Sequence, residues 1–260
     1  VVEEIAAGYS AKGTLKSGQA MRIMTGAPIP MGANAVLMQE DTDKNGNFIL
    51  AKDRADVEEN IRKAGEDVQK GETVIKKGVT LSPAHIGMMA VVGRSQVAVG
   101  QRPTVSILST GDEILELDQK PKGPQIYNSN GHMLAAQIRS AGGIPVYLGI
   151  AKDTKKDLME KFEWALQSDI VVSSGGVSVG DYDLVKASLE KMGQEMLFWK
   201  VAMKPGKPLA FGRIGDKPIF GLPGNPVSSF VSFEQFVRPS LKKVMGCSDL
   251  KHPTVQAKLT

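Results

Sequence analysis

The chain has 260 residues, about twice the usual single-domain length, so two modest domains or one large one are expected. A hydrophobic fraction of 42% and a charged fraction of 23% exclude wholesale disorder, a coiled coil and a disulfide scaffold. The net charge of +4 is too mild to mark a nucleic-acid binder, because both signs are mixed along the chain. The longest apolar run, Ile86 to Val92, is far below the roughly 18 residues that span a bilayer, and the opening residues lack the charged-then-apolar pattern expected of a signal peptide. Cys247 is the one cysteine and cannot form an internal disulfide. A soluble cytoplasmic protein, with no membrane and no nucleic-acid partner, is expected.

Residues 1–71 read as a β-rich domain. Apolar runs at Ala20–Met24, Ala35–Gln39 and Phe48–Ala51 are separated by turn formers, and Asp43-Lys44-Asn45-Gly46-Asn47 is a hairpin signal. Ser82-Pro83 opens a helix with serine as N-cap and proline at the first helical position, and Gly93 ends it. Ile86, Met88, Met89, Val91 and Val92 put apolar groups on more than one face of that helix. From Pro103 the pattern changes. Thr104–Leu108 reads as a strand, followed by a helix with the stripe Leu134, Ile138, Ala141. Ile144–Ile150 is a second strand, followed by a helix with Leu158, Phe162 and Ala165. Ile170–Ser173 is a third, followed by a helix with Val185, Leu189 and Met192. The alternation predicts an α/β domain with a parallel sheet covered on both faces. Extended runs follow at Met196–Met203, Leu209–Phe211 and Pro218–Phe220, with Gly215-Asp216 as a hairpin turn. One long helix closes the unit, with the stripe Phe230, Phe233, Val237, Leu241, Val244. Thr254–Leu259 starts like a strand with nothing after it, so a piece of a longer protein is expected.

Ligands of open parallel sheets bind beyond the carboxyl ends of the strands. Three candidate loops fall there: Ser109-Thr110-Gly111-Asp112-Glu113, Gly149-Ile150-Ala151-Lys152-Asp153, and Ser174-Gly175-Gly176-Val177-Ser178-Val179-Gly180-Asp181-Tyr182-Asp183. Glycines between a strand and a helix let backbone N–H groups close on an anion, although a tight turn would use them too. Glu113, Asp153 and Asp183 each follow a different strand, and carboxylates meeting at one sheet edge suit Mg²⁺. Singly, each reads better as a helix cap or a solvated loop residue; their joint placement at one edge favours the metal. Lys200, Lys204 and Lys207 lie in a stiff proline-rich run, and Lys200 and Lys204 share a face if that run is extended. Gly221-Leu222-Pro223-Gly224-Asn225-Pro226-Val227-Ser228 forms a rigid loop into the last helix. His85, His132 and His252 show no metal-ligand spacing, and no Gly-x-Ser-x-Gly elbow occurs. Two tryptophans and four tyrosines, not interleaved with basic residues, offer no stacking platform for nucleic acid.

Five segments in order resemble one family. They are Arg22-Ile23-Met24-Thr25-Gly26-Ala27-Pro28, Ser109–Glu113, Ser174–Gly180, Lys204-Pro205-Gly206-Lys207-Pro208 and Gly221–Ser228. The chain is similar to the MoeA family of molybdopterin molybdenumtransferases, which includes the E domain of gephyrin. The resemblance implies a MogA-like three-layer α/β molybdopterin-binding domain over 103–250, a partial β-rich second domain over 1–71, and an elongated linker and dimerisation segment over 72–102. It makes 251–260 the start of a C-terminal β domain. The implied activity is insertion of molybdate into adenylylated molybdopterin, with Mg²⁺-dependent release of AMP, by a homodimer. Carried over residue by residue, Glu113, Asp153 and Asp183 fall on the acidic, metal-holding positions and Lys200 and Lys204 on the basic ones. Thr110, Gly111, Asp112, Ser174, Gly175, Gly176, Ser178, Gly180, Lys207, Pro223 and Pro226 line the substrate site. Thr25 and Asp67 correspond to site residues contributed by the second domain across the dimer. The alternatives are the related molybdopterin adenylyltransferase step and a non-catalytic scaffold of the gephyrin kind. The family's upstream Met-Asp-Gly-Tyr-Ala type segment, whose aspartate completes the site, does not occur in this sequence.

Overall fold

The computed structural model describes residues 1–176 and 184–258. They form two compact units, Val1–Val74 and Ile75–Thr260. In the first, β1 (Glu3–Ile5) pairs in parallel with β2 (Met21–Ile23), and β3 (Thr42–Asn45) pairs antiparallel with β4 (Phe48–Ala51). The hairpin turns at Gly46 and Asn47, and Gly46 takes φ +59°, a conformation that costs glycine no Cβ clash. The apolar run at Ala35–Gln39 is not a strand; Val36 N–H instead donates to Glu59 O at 3.0 Å and Asn60 Nδ2 donates to Val36 O at 2.9 Å. Loop residues have taken the backbone groups that a ladder would have used. Among the described residues of this unit only Ile5 and Pro30 are buried, so it has almost no core of its own.

The second unit begins with α1 (Pro83–Val91), whose Ser82 N–H donates to His85 Nδ1 at 3.0 Å. Val92 and Gly93 close it, the latter at φ +70°. No residue of α1 is buried. Chain order continues with β5 (Thr104–Thr110), β6 (Ile114–Leu115), β7 (Ile126–Tyr127), α2 (Ser129–Ser140), β8 (Ile144–Ala151), α3 (Lys155–Ala165) and β9 (Ile170–Ser174). After these come α4 (Leu184–Lys191), β10 (Glu195–Lys200), β11 (Pro208–Ile214) and β12 (Lys217–Leu222). Six strands make one sheet in the order β10-β11-β12-β9-β5-β8. β12, β9, β5 and β8 are mutually parallel, and β11 is antiparallel to both of its neighbours. β10 therefore runs in the same direction as the parallel set.

Side chains alternate across β5, so Val105 and Ile107 enter one core while Leu108 enters the other. The first core takes Leu134 and Ile138 of α2 with Phe233, Val237 and Leu241; the second takes Leu158 and Phe162 of α3 with Val185 and Leu189 of α4. Each fully buried side chain of this size contributes about 1.5–3 kcal/mol. These two cores make the three-layer α/β architecture. The closing helix is not continuous. It runs as α5 (Pro226–Ser232), a π turn at Phe233–Val237, and α6 (Arg238–Val244). Pro239 has no N–H and its ring crowds the carbonyl four residues earlier, which a wider turn accommodates. Phe230 and Val244, the ends of the expected stripe, are 46% and 56% exposed. The described residues of 252–258 form no strand. No helix among the described residues is long and apolar enough to cross a membrane.

Candidate substrate site at the carboxyl edge of the sheet

The parallel strands deliver their following loops to one edge. β5 leads into Gly111, Asp112 and Glu113; β8 into Lys152 and Asp153; β9 into Gly175 and Gly176; β12 into Pro223 and Gly224. The ladder between β9 and β12 ends with Gly175 N–H donating to Leu222 O at 3.1 Å. Gly175 and Gly176 have φ of +92° and +65°. A Cβ on Gly175 would lie 2.5 Å from Thr110 O, and one on Gly176 would lie 2.4 Å from Val185 Cγ2. The close approach of this loop to β5 and α4 therefore requires glycine at both positions.

The acidic groups meet at the β5–β8 end. Asp153 N–H donates to Asp112 Oδ1 at 3.2 Å, and the Glu113 carboxylate folds back over Gly111. Burial, then the charge of Asp112 and more weakly that of Glu113, holds the Asp153 carboxyl above the usual carboxylate range. Asp153 is not the cap of α3; Thr154 accepts from Asp157 N–H in that role. The helix-cap reading of Asp153 therefore falls away. An acidic group whose ionisation is opposed by its neighbours gains from a cation, and oxygen donors suit Mg²⁺. Among the described residues no group of three or more His, Cys, Asp or Glu side chains could hold a metal by itself. Mg²⁺ needs only one or two carboxylates when substrate phosphates supply the rest, so Asp153 and Glu113 fit it on those terms. Asp183, Ser178 and Gly180 lie outside the described residues.

The lysines occupy the opposite end of the edge. Lys200 is the last residue of β10, at the same edge as the other carboxyl ends because β10 runs in their direction. Four strand spacings separate β10 from β5, roughly 20 Å at about 4.8 Å each. Lys200 and Lys204 do not share an extended face. Pairing of β10 with β11 shifts register twice, which breaks the period of two, and the strand stops at Lys200. Lys204 and Lys207 follow in a turn with a cis Lys204–Pro205 peptide, where Val201 N–H donates to Lys207 O at 3.0 Å. All three lysines are exposed, and none is in an ion pair among the described residues.

Pro226 is the first residue of α5, with Asn225 as N-cap accepting from Ser228 N–H at 3.1 Å. Pro223 precedes it in the same loop. Thr25 and Asp67 belong to the first unit. Thr25 lies in the turn after β2, and Asp67 pairs with Arg62 at 2.7 Å on the surface.

Sequence reasoning passed over a network beneath the acidic end. Asn128 is buried, caps α2 by accepting from Gly131 N–H at 3.0 Å, and accepts from Ser109 Oγ at 2.9 Å. Its Nδ2 donates to Tyr147 Oη at 2.6 Å, and Tyr147 Oη donates to Glu116 Oε1 at 2.7 Å. Burial and the Glu116 carboxylate raise the phenol well above its usual range, so it remains a donor. Asn128 carried a local signal as an N-cap residue type ahead of the Leu134 stripe. Tyr147 and Glu116 carried none, because only the fold brings β8 over the start of α2.

Residues 106–243 match the family model for a probable molybdopterin binding domain, and residues 1–93 match that for the MoeA N-terminal region, domains I and II. Molybdopterin molybdenumtransferase from Haemophilus influenzae is 41% identical over 239 residues, covering 91% of this chain and 59% of the relative. The Bacillus subtilis protein of the same name is 40% identical over 247 residues, covering 93% of this chain and 57% of its own. The crystal structure of a molybdopterin biosynthesis MoeA protein from Pyrococcus horikoshii superposes with a TM-score of 0.79 at 33% identity, over 96% of this chain and 61% of that one. The chain thus spans about three fifths of the length of these relatives.

Proposed function

The chain belongs to the MoeA family of molybdopterin molybdenumtransferases, and from that premise we propose that it serves molybdenum cofactor biosynthesis by inserting molybdate into adenylylated molybdopterin with release of AMP. The observation that carries this reading is the spread of charged groups along one sheet edge, with Asp112, Glu113 and Asp153 beside Lys152 after β5 and β8, Lys200, Lys204 and Lys207 at and after the end of β10, and glycine and proline loops between. A substrate that uses both ends must reach roughly 20 Å, which suits a pterin joined through phosphates to a nucleoside better than a small metabolite. Asp153 and Glu113, with Asp183, would hold Mg²⁺, and when bound it would polarise the phosphoanhydride. Gly175 and Gly176 offer close backbone approach to the substrate, and Pro223 and Pro226 keep the facing loop stiff. Lys200, Lys204 and Lys207 hold the molybdate oxyanion. Positioning, rather than covalent participation, is the work asked of these residues.

The test is release of AMP from molybdopterin-AMP by the full-length protein. AMP should appear only when both molybdate and Mg²⁺ are supplied. Release without molybdate, or adenylyl transfer from ATP in its place, would overturn the reading.

The protein is proposed to work as a cytoplasmic homodimer, with α1 in the interface and Thr25 and Asp67 among the catalytic residues. Support comes from α1 itself, where Ile86 is 53% and Val91 76% exposed beside Val92 at 39%. Apolar groups exposed on more than one face of so short a helix favour a covering partner, and a two-fold dimer is the simplest closed cover. Ile86→Glu combined with Val91→Glu is expected to shift the full-length protein from dimer to monomer in sedimentation equilibrium. A dimer of unchanged affinity would remove α1 from the interface.

A further inference from the structure

Asn130 occupies an expensive position. It lies in the first turn of α2 and is 8% exposed, where an apolar residue would bury more favourably. It is not needed as a cap, since Asn128 does that. Its Nδ2 donates to Ser174 Oγ at 2.8 Å and to Gly224 O at 2.8 Å. Both amide hydrogens are thus spent, one on Ser174 at the end of β9, just before the glycine loop, and one on the loop after β12. Its Oδ1 is buried without a partner among the described residues, as is Thr110 Oγ1 beside Gly175 and Gly176. A buried acceptor left unpaired is a cost, tolerated here for the two donors on the same group.

The location explains what the donors accomplish. β9 and β12 are hydrogen-bonded neighbours as far as Gly175 N–H to Leu222 O, and there the ladder stops. Past that point the two loops still run close, since a Cβ on Gly224 would sit 3.8 Å from Gly175 Cα. Asn130 adds a cross-link there, from Ser174, the last ladder residue of β9, to Gly224 beyond the end of β12. It reaches the loops from a helix whose Leu134 and Ile138 are fully buried in the core, so its backbone is held independently of either loop.

We infer that Asn130 is a positioning residue that ties the end of β9, where the glycine loop starts, to the proline loop after β12 and thereby sets the affinity of the site for the pterin. This rests on the substrate reading above. Side-chain truncation removes both contacts at once, which the loss of Ser174 Oγ alone would do only in part.

The experiment compares wild type, Asn130→Ala, Ser174→Ala and the double variant in the full-length protein, by amide hydrogen exchange and by equilibrium binding of molybdopterin. In Asn130→Ala, exchange at 175–176 and 223–225 should accelerate together, and the molybdopterin Kd should rise about tenfold, the scale of one or two lost hydrogen bonds. KM should follow Kd while kcat changes much less, and the double variant should be no weaker than Asn130→Ala, because the two groups form one link. If Asn130→Ala does not fold, Ser174→Ala carries the test alone, with a smaller rise in Kd and faster exchange on both loops. A lower melting temperature with wild-type Kd and KM would overturn the inference and leave Asn130 a plain structural residue. Wild type failing to bind molybdopterin would overturn the substrate reading instead, and the exchange comparison would still decide whether Asn130 couples the loops.

Discussion

Asp153→Asn in the full-length protein is expected to lower AMP release by on the order of 10²-fold, equivalent to about 2.7 kcal/mol of transition-state stabilisation. The same substitution should raise the melting temperature of the metal-free protein at neutral pH. Burial, then Asp112 and Glu113, places the folded-state carboxyl above its unfolded value. A group raised in this way contributes favourably while protonated, below the unfolded pKa, and that contribution is lost as pH rises through the folded pKa. Asparagine remains neutral throughout. Its advantage should therefore be small in acid, grow across that window and stay constant above it. Mg²⁺ should raise the melting temperature of wild type more than that of Asp153→Asn, because the cation relieves the repulsion that asparagine has already removed. A variant that melts lower than wild type at neutral pH, or that keeps full activity at saturating Mg²⁺, would end the assignment. Asp183→Asn is expected to produce a similar loss of activity.

Lys200→Ala and Lys204→Ala are expected to raise the molybdate concentration needed for half-maximal rate by about tenfold each, the scale of a charge contact at the protein surface. Molybdopterin affinity should change far less. Lys200 ends β10 and Lys204 follows it, roughly 20 Å along the edge from the loop of Asp112 and Glu113, so their loss should not alter the Mg²⁺ requirement. The effect should also shrink as salt rises, because screening already weakens the wild-type attraction of exposed ammonium groups. Rate measurements over molybdate concentration at two ionic strengths check this. Equal molybdate dependence in wild type and both variants, or a matched rise in the Mg²⁺ requirement, would move the oxyanion elsewhere.

Periodicity and turn chemistry made most of the second unit readable in the sequence. The stripes Leu134–Ile138, Leu158–Phe162–Ala165 and Val185–Leu189 are local patterns, and each is buried in one of the two cores. Asn45-Gly46 and Gly215-Asp216 marked hairpins for the same reason, since turn preferences depend on one or two residues. The glycine and proline loops and the acidic positions were legible from composition and from the family resemblance. What depends on partners distant in sequence was not. Ala35–Gln39 looked like a strand, but no neighbouring strand met it; residues 58–60 took its hydrogen bonds instead. The face shared by Lys200 and Lys204 assumed an unbroken strand, whereas two register shifts against β11 and the turn at Pro205 end the alternation. The single long final helix ignored Pro239, whose missing N–H is absorbed by the π turn. Sequence alone established which chemical groups this chain carries and that strand ends would present them. Only tertiary structure decided that the Asp112, Glu113 and Asp153 carboxylates and Lys200 and Lys204 lie at opposite ends of one edge, and that Asn130 bridges the end of β9 and the loop after β12, 44 and 94 residues further along the chain. Strand order and side-chain reach are set by packing between segments distant in sequence, and no local pattern encodes them.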